Sequence, residues 1–483
     1  MRRRPGHARS RPVALLALGA LVAAAAACTP PPSASPTEKV SADDLPPCPV
    51  DALAKAKGKV GIEFWHSELA VMAETVDQLA AAYNASQDKV HVTVDNQGLE
   101  DELTAKYTSA AGAHQLPDLV EIGDTLLEST IDGGTILPAE SCMRAAGFDL
   151  DTIDPGVRAY YTVDGIYWPG FVSVGQPILY FNRTHFEQAG LDPNDPPRTL
   201  EELADVARKL KAAGVSNHPL ALPLYRWWVV TWLNGIGADL VNHDNGRDGR
   251  PSRPTFDKPE TRELLATLHD MKAEGLLQPY SPDGINHLLA LSNDESSMAM
   301  ESSVAASSIQ AFLEGKLDSG DVDTGNADPA AGRKLQLGAG PFPGMEEGAT
   351  TQPSGPGWYI VRESSPEKQA AAWDFLQFML RKENVVRWHL GGSGLPFVKG
   401  AADDPAIQEF WDNQIAGRVM KVAAEEFEAV DPDNPGPMMG PYLPFTKALD
   451  VALQDVMLND KDVDAAVAAG QAEMEAAFEQ YYG

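Results

Sequence analysis

Val60-Gly61-Ile62-Glu63-Phe64-Trp65, Val90-His91-Val92-Thr93-Val94 and Pro117-Asp118-Leu119-Val120-Glu121-Ile122 are three short apolar or alternating runs early in the chain. Alternation at a period of two puts one face of a run on a core and reads as β-strand. Between the runs, Ala70 to Tyr83 carries Val71, Val76, Leu79, Ala80 and Tyr83 at helical spacing, and Glu100 to Ala111 reads as a second helix. Strand, helix, strand, helix, strand predicts a parallel sheet with covering helices, the α/β class. Ligands of such sheets gather at the carboxyl ends of strands. That nominates Trp65, His66 and Ser67 after the first run, and Gly123 and Asp124 after the third.

The pattern continues downstream. Pro177 to Asn182 is a strand, His185 to Ala189 and Thr199 to Ala213 are helical, and Thr199 with Glu202 forms a capping box. Leu220 to Leu224 is strand-like and Trp227 to Trp232 begins a helix. The Asn245-Gly246 and Asp248-Gly249 turns predict a polar hairpin between Leu240 and Phe256, and Thr261 to Glu274 a further helix.

Upstream of this body, five arginines (Arg2, Arg3, Arg4, Arg9, Arg11) precede the apolar run Val13 to Ala27, which ends at Cys28. The run is short for a permanent span, which needs roughly 20 apolar residues, and has the form of a secretory leader. Ala25-Ala26-Ala27-Cys28 is similar to the bacterial lipobox, with Ala25 where that motif usually has Leu; an ordinary leader with an incidental Cys28 is the other reading. Residues 1–28 are thus expected to be a lipoprotein signal peptide and 29–57 a disordered, proline-rich spacer, because Pro30, Pro31, Pro32, Pro36, Pro46 and Pro47 among Ser, Thr and Asp cannot bury a core. Export makes a disulfide between the remaining cysteines, Cys48 and Cys142, an expectation.

The chain has 38 Lys and Arg against 69 Asp and Glu, a formal net charge of −31, with five of the arginines in the leader. Such a surface repels nucleic acid and anionic lipid. A hydrophobic content of 43% supports large cores, and the length suggests two domains or more. No CxxC, HExxH or zinc-spaced His/Cys cluster is present, so neither metal nor cofactor is implied. Asp431-Pro432-Asp433-Asn434-Pro435-Gly436 has calcium-loop residue types, but prolines interrupt it and Tyr442 stands in the place of the bidentate Glu, so it reads as a turn-rich loop.

Phe64-Trp65-His66-Ser67, Leu116 to Glu121, Tyr180-Phe181-Asn182, Gly190-Leu191-Asp192, Pro197 to Leu203, Met298 to Ser303, Gly357 to Val361 and Ala370 to Leu376 follow one another in an order that resembles the type 1 extracellular solute-binding proteins of ABC importers. Trp388-His389, Leu395-Pro396 and Pro444-Phe445-Thr446-Lys447 are similar to the glycerol-3-phosphate-binding branch. The chain departs from that branch where it recognises phosphate: Gly392-Ser393-Gly394 replaces Thr-Gly-Tyr, the expected serines fall near Val174 and Gly175, and the expected arginine falls near Thr446 or Lys447. The resemblance implies a two-lobed periplasmic-binding-protein type fold with hinge strands crossing between lobes, near Phe171, Ser302 and Tyr359. Lobe 1 is expected to take 58–170 and 302–358, and lobe 2 to take 171–301 and 359–483.

A carbohydrate site pairs aromatic platforms with carboxylates and amides that accept or donate in pairs. The candidates are Trp65, His66, Asp124, Tyr225, Trp227, Trp228, Glu301, Ser302, Gly355 and Trp358. Each has a competing reading: core packing for the tryptophans, an N-cap for Asp124, a solvated strand end for Glu301, and backbone bonding for His66. The expected function is non-enzymatic capture of a sugar or polyol by a monomeric, lipid-anchored protein that delivers it to membrane permease subunits. The alternatives are a glycerol-3-phosphate or glycerophosphodiester importer component and, in another class, an exported glycoside hydrolase. For the hydrolase, no carboxylate pair stands out, and Gly392-Ser393-Gly394 is too short for a nucleophile elbow.

Overall fold

The computed structural model describes residues 40–282, 284–316, 334–392 and 394–483. The leader, Cys28 and the first part of the spacer lie outside the described residues. In chain order, β1 (Val60–His66), β2 (Val90–Asn96), β3 (Leu119–Ile122), β4 (Ile136–Leu137) and β5 (Phe171–Val172) build a first sheet. Next, β6 (Pro177–Asn182), β7 (Leu220–Pro223), β8 (Leu277–Tyr280), β9 (Met298–Ser302) and β10 (Leu337–Gly340) build a second, and β11 (Gly357–Val361) returns to the first. The strand orders are β2-β1-β3-β11-β4, with β5 beside β11, and β8-β7-β9-β6-β10.

Within each lobe the βα units make parallel pairs, as β1 does with β2 and β3, and β7 with β8 and β9. The sheets are nevertheless mixed. β11 runs antiparallel to β3, β4 and β5, and β6 antiparallel to β9 and β10. The cause is topological: β6 and β11 begin where the chain arrives from the opposite lobe, so they run away from the cleft, whereas β1, β3, β7 and β9 run toward it. Four strand carboxyl ends therefore converge on one gap.

The chain passes between lobes after the helix Lys382–Gly392 and before the helix Tyr442–Asn459, and also through two paired segments, 173–176 and 352–356. They lie side by side, with Ser173 N donating to Pro356 O at 2.9 Å and Gly175 N to Ser354 O at 3.0 Å. The expected crossing near Ser302 is not made. β9 ends at Ser302 and the next described strand, β10, pairs with β6 in the same sheet. Residues 302–358 therefore do not all join the first lobe. Nor do 359–483 all join the second: the helix Pro366–Met379 packs on β1 and β11, and the helix Lys382–Gly392 on the helix Ala70–Ser86. The helices Tyr442–Asn459 and Val463–Tyr482 do pack with the second lobe's helices Arg226–Gly235 and Pro259–Ala273.

Cys48 and Cys142 are joined with their Cα atoms 4.9 Å apart. From Val40 the expected spacer is part of the first lobe, since Leu45, Val50 and Leu53 pack on its core and Ala52–Lys55 is helical. The expected hairpin between Leu240 and Phe256 is replaced by one bridge, Val241 to Pro254. His243, Asp244 and Asn245 all take left-handed backbone angles there, with φ of 61°, 52° and 53°. Asn245 Oδ1 accepts from Leu240 N at 2.7 Å, which ties this turn down. Among the described residues no helix is long and apolar enough to cross a membrane, and no group of His, Cys, Asp and Glu could hold a metal ion.

Candidate functional site

The four convergent strand ends and the two crossing segments enclose a cavity of about 310 Å³. Glu68, beyond β1, Glu100, at the start of the helix Glu100–Ala113, and Gly123 to Thr125, beyond β3, form the first-lobe wall. Tyr225, Arg226, Trp227 and Val230 follow β7, and Glu301 and Ser302 end β9, forming the second. Ser173 and 352–356 make the floor, and Tyr160, Tyr442 and Thr446 close the side.

Asp124 is the most heavily used group. Its Oδ2 accepts from Tyr160 OH (2.7 Å), Ser354 Oγ (2.7 Å) and Gly355 N (2.9 Å), and its Oδ1 accepts from Thr125 N (2.8 Å). It therefore lines the cavity and fastens one crossing segment to the end of β3. Gly355 adopts φ 149°, and a Cβ there would fall 1.9 Å from Ser173 O, so glycine permits the two segments to lie this close. Gly123 serves the wall in a similar way: a Cβ would meet Glu100 Oε1 at 2.0 Å, so the bare backbone lets the carboxyl lie across the strand end.

Glu301 is held by its neighbours, with Oε1 accepting from Ser302 N at 2.6 Å and Oε2 lying 2.8 Å from His287 Nε2. Ser302 Oγ accepts from Val304 N and caps the short turn after β9. Arg226 Nη1 donates to Asp450 Oδ2 at 2.9 Å and is the one cation among the lining residues. Behind the first-lobe wall, Glu121 Oε1 accepts from Ser67 N and Oγ, and its Oε2 from Trp358 Nε1 at 3.0 Å. Burial raises its pKa. Glu100 keeps solvent exposure, and partial desolvation, with Asp124, Glu121 and Asp101 nearby, raises it toward about 7. Burial beside Glu121 and Glu100 also raises Glu68 well above the usual carboxyl range, opposed by a bond from Ser173.

The residues nominated from sequence divide between two environments. Asp124, Tyr225, Trp227, Glu301, Ser302 and Gly355 line the cavity. Trp65, His66, Trp228 and Trp358 do not. Trp65 donates to Glu63 and lies under Lys106 Nζ, 3.7 Å from the ring centroid. His66 is 1% exposed, and desolvation takes its pKa to about 4. Trp228 is buried and donates to Pro223 O. Trp358 sits at the middle of β11 among Phe64, Phe171, Phe375 and Trp388, where it orients Glu121. Trp65, His66 and Trp358 lie within strands, whereas much of the wall comes from strand termini and the residues just beyond them: Glu301 and Ser302 end β9, and Glu68, Gly123 to Thr125 and Tyr225 to Trp227 lie one to four positions past β1, β3 and β7. That rule would have found Glu68 and Arg226. Ser173, one position past β5, meets it as well, whereas Tyr160, Tyr442 and Thr446 carry no comparable local signal.

A model of the bacterial extracellular solute-binding protein family matches residues 78–415. The chain belongs to that family. Its work therefore lies outside the cytoplasm. This solute-binding protein is similar to the sn-glycerol-3-phosphate-binding periplasmic protein UgpB of Escherichia coli strain K12, 25% identical over 408 residues, 82% of this chain and 85% of the relative. Among solved structures, the cyclic alpha-maltosyl-1,6-maltose binding protein of Arthrobacter globiformis superposes with a TM-score of 0.69 at 21% identity, over 88% of this chain and 100% of that one. UgpB of Mycobacterium tuberculosis, in complex with glycerophosphocholine, superposes with a TM-score of 0.69 at 17% identity, over 89% and 100%. These likenesses show the two-lobed fold.

Proposed function

We propose that this solute-binding protein captures a sugar or oligosaccharide between its lobes and hands it to the permease subunits of an ABC importer. Cys28 carries the lipid that anchors it to the outer face of the membrane. The observation that carries the reading is the pairing of ring faces with hydroxyl acceptors around one cavity: Tyr225, Trp227, Tyr160 and Tyr442 beside Glu68, Glu100, Asp124 and Glu301. Apolar sugar faces stack on the former and hydroxyls donate to the latter. Ligand bridging both walls favours the closed form by its differential affinity for it, and the permease reads that form.

The relatives' names favour a second reading, a glycerol phosphate or a glycerophosphodiester. The lining argues against it, since a phosphate needs charge-assisted donors and Arg226 is already engaged by Asp450. Thr446, in the region of the branch's arginine, spends its hydroxyl on Tyr442 O. A calorimetric panel of mono- and oligosaccharides, sn-glycerol 3-phosphate and glycerophosphodiesters tests the assignment. Sugar binding without turnover is expected; hydrolysis of a bound sugar would end the transport reading, and tight phosphate binding would replace the ligand class. Incorporation of a lipid precursor that is lost in Cys28→Ala tests the anchor.

A further inference from the structure

We propose that the ligand carries a protonated amine, as an amino sugar or an amino-bearing oligosaccharide does, and that Glu68 and Glu100 receive it against the ring faces of Tyr225 and Trp227. This deepens the carbohydrate reading and rests on it.

The cavity holds far more negative than positive charge. Four carboxyls line the cavity, Glu68, Glu100, Asp124 and Glu301, with Glu121 just behind, against the single guanidinium of Arg226. Most of these groups are satisfied inside the protein. Asp124 accepts from four donors, Glu301 is held by Ser302 N and His287, Glu121 by Ser67 and Trp358, and Arg226 by Asp450. Glu68 and Glu100 are the remainder. The Glu68 carboxyl has the Ser173 hydroxyl as its one hydrogen-bonding neighbour, and its buried Oε1 has no partner. Glu100 faces Asp124, Glu121 and Asp101, and among cations only Arg226 acts on it.

Burial and the neighbouring carboxylates disfavour ionisation of the two carboxyls when no cation is at hand. Hydroxyls of a neutral sugar can hydrogen-bond to them but cannot offset the charge they would carry once ionised. An ammonium supplies up to three N–H donors and the missing charge together. Aromatic faces add attraction for a cation, and Tyr225, 36% exposed, already faces the Arg226 guanidinium at 5.4 Å from its ring centroid. The half-buried Trp227 presents a second face to the same cavity.

The test is isothermal titration calorimetry near neutral pH with matched pairs. Glucosamine and galactosamine are set against glucose and galactose, and fully deacetylated chito-oligosaccharides against cello-oligosaccharides of the same length, which carry hydroxyl where the former carry ammonium. Expected is at least one amino member bound about tenfold or more tightly than its neutral partner, a factor of ten being about 1.4 kcal/mol. Its enthalpy should vary with the buffer's ionisation heat, because the incoming cation expels carboxyl protons. Glu68→Gln and Glu100→Gln should bring the ratio toward one while circular dichroism stays unchanged. If either variant unfolds, the wild-type ratio and proton release decide alone. Neutral partners bound as tightly as amino ones would overturn this inference and leave the carbohydrate reading intact. Failure of every sugar, neutral or amino, would overturn both.

Discussion

Trp227 and Trp228 are consecutive and stacked, 5.0 Å between centroids with 28° between planes, yet only Trp227 reaches the cavity. Trp228 is 2% exposed, lies on Phe342 and donates to Pro223 O. Trp228→Ala should therefore lower stability by about 3–5 kcal/mol in urea titration, the usual cost of excavating a buried aromatic. Trp227→Ala should cost less in stability but weaken ligand binding about tenfold or more in calorimetry, the behaviour of an anchoring ring. Glu100 makes the second prediction at this scale. A carboxyl raised from 4.5 to about 7 by folding favours the folded state fully below its unfolded value, and that contribution is lost as pH rises through the folded one. Glu128, raised by burial to about 7, acts in the same sense. His66 and His389, lowered by burial to about 4, act in the opposite sense, so the test is the difference: relative to Glu100→Gln, the wild-type protein should lose melting temperature between about pH 5 and about pH 8 in a series of calorimetric scans.

At the scale of elements, the two crossing segments decide how the lobes meet. They touch at Gly355, where a side chain would strike Ser173 O, and they are pinned by Asp124 and by Tyr161 OH, which donates to Gly355 O at 2.6 Å. Gly355→Ala should force the segments apart, with a loss of about 1–3 kcal/mol in chemical denaturation and weaker ligand binding. How far the fold was legible follows from the same elements. β1 shows its alternation directly, Ile62 and Phe64 being buried and Gly61 and Glu63 exposed, and β6 has the apolar run of a strand buried on both faces. The family resemblance puts crossings near Phe171 and Tyr359, and the paired segments lie at 173–176 and 352–356. The third, at Ser302, failed because a strand that ends at the cleft looks locally the same whether or not the chain then changes sheet. Asn245-Gly246 has the sequence of a hairpin turn, but the left-handed backbone reaches back to His243, and no dipeptide rule anticipates that. The cavity was half legible for a related reason: Asp124 and Glu301 sit at strand ends, whereas Tyr442 reaches the cleft through packing of a helix remote in sequence.

At the scale of the whole molecule, a second set of contacts joins the lobes away from the cavity. Arg247 is half-buried, and its Nη1 donates to the carbonyls of Ala159, Tyr160 and Thr162 while its Nε donates to Gly436 O. Burial lowers its pKa to about 10, which leaves it charged at neutral pH. Arg250 pairs with Glu128 and Asp132 across the same seam. Arg250→Ala, the milder of the two deletions, should raise the ligand-free radius of gyration in small-angle scattering and weaken ligand binding, because the closed form loses contacts that the open form lacks. An unchanged radius would mean that the seam does not govern closure. The Cys48–Cys142 bond has a mechanical consequence. It ties the chain next to its N-terminal segment to the helix Ala139–Ala146 of the first lobe. Tension applied through the residues before Cys48 is delivered to that lobe alone. A pull from that end would reach the second lobe only through the crossing segments and the Arg247 and Arg250 seam, so it would turn the whole particle rather than prise its jaws apart.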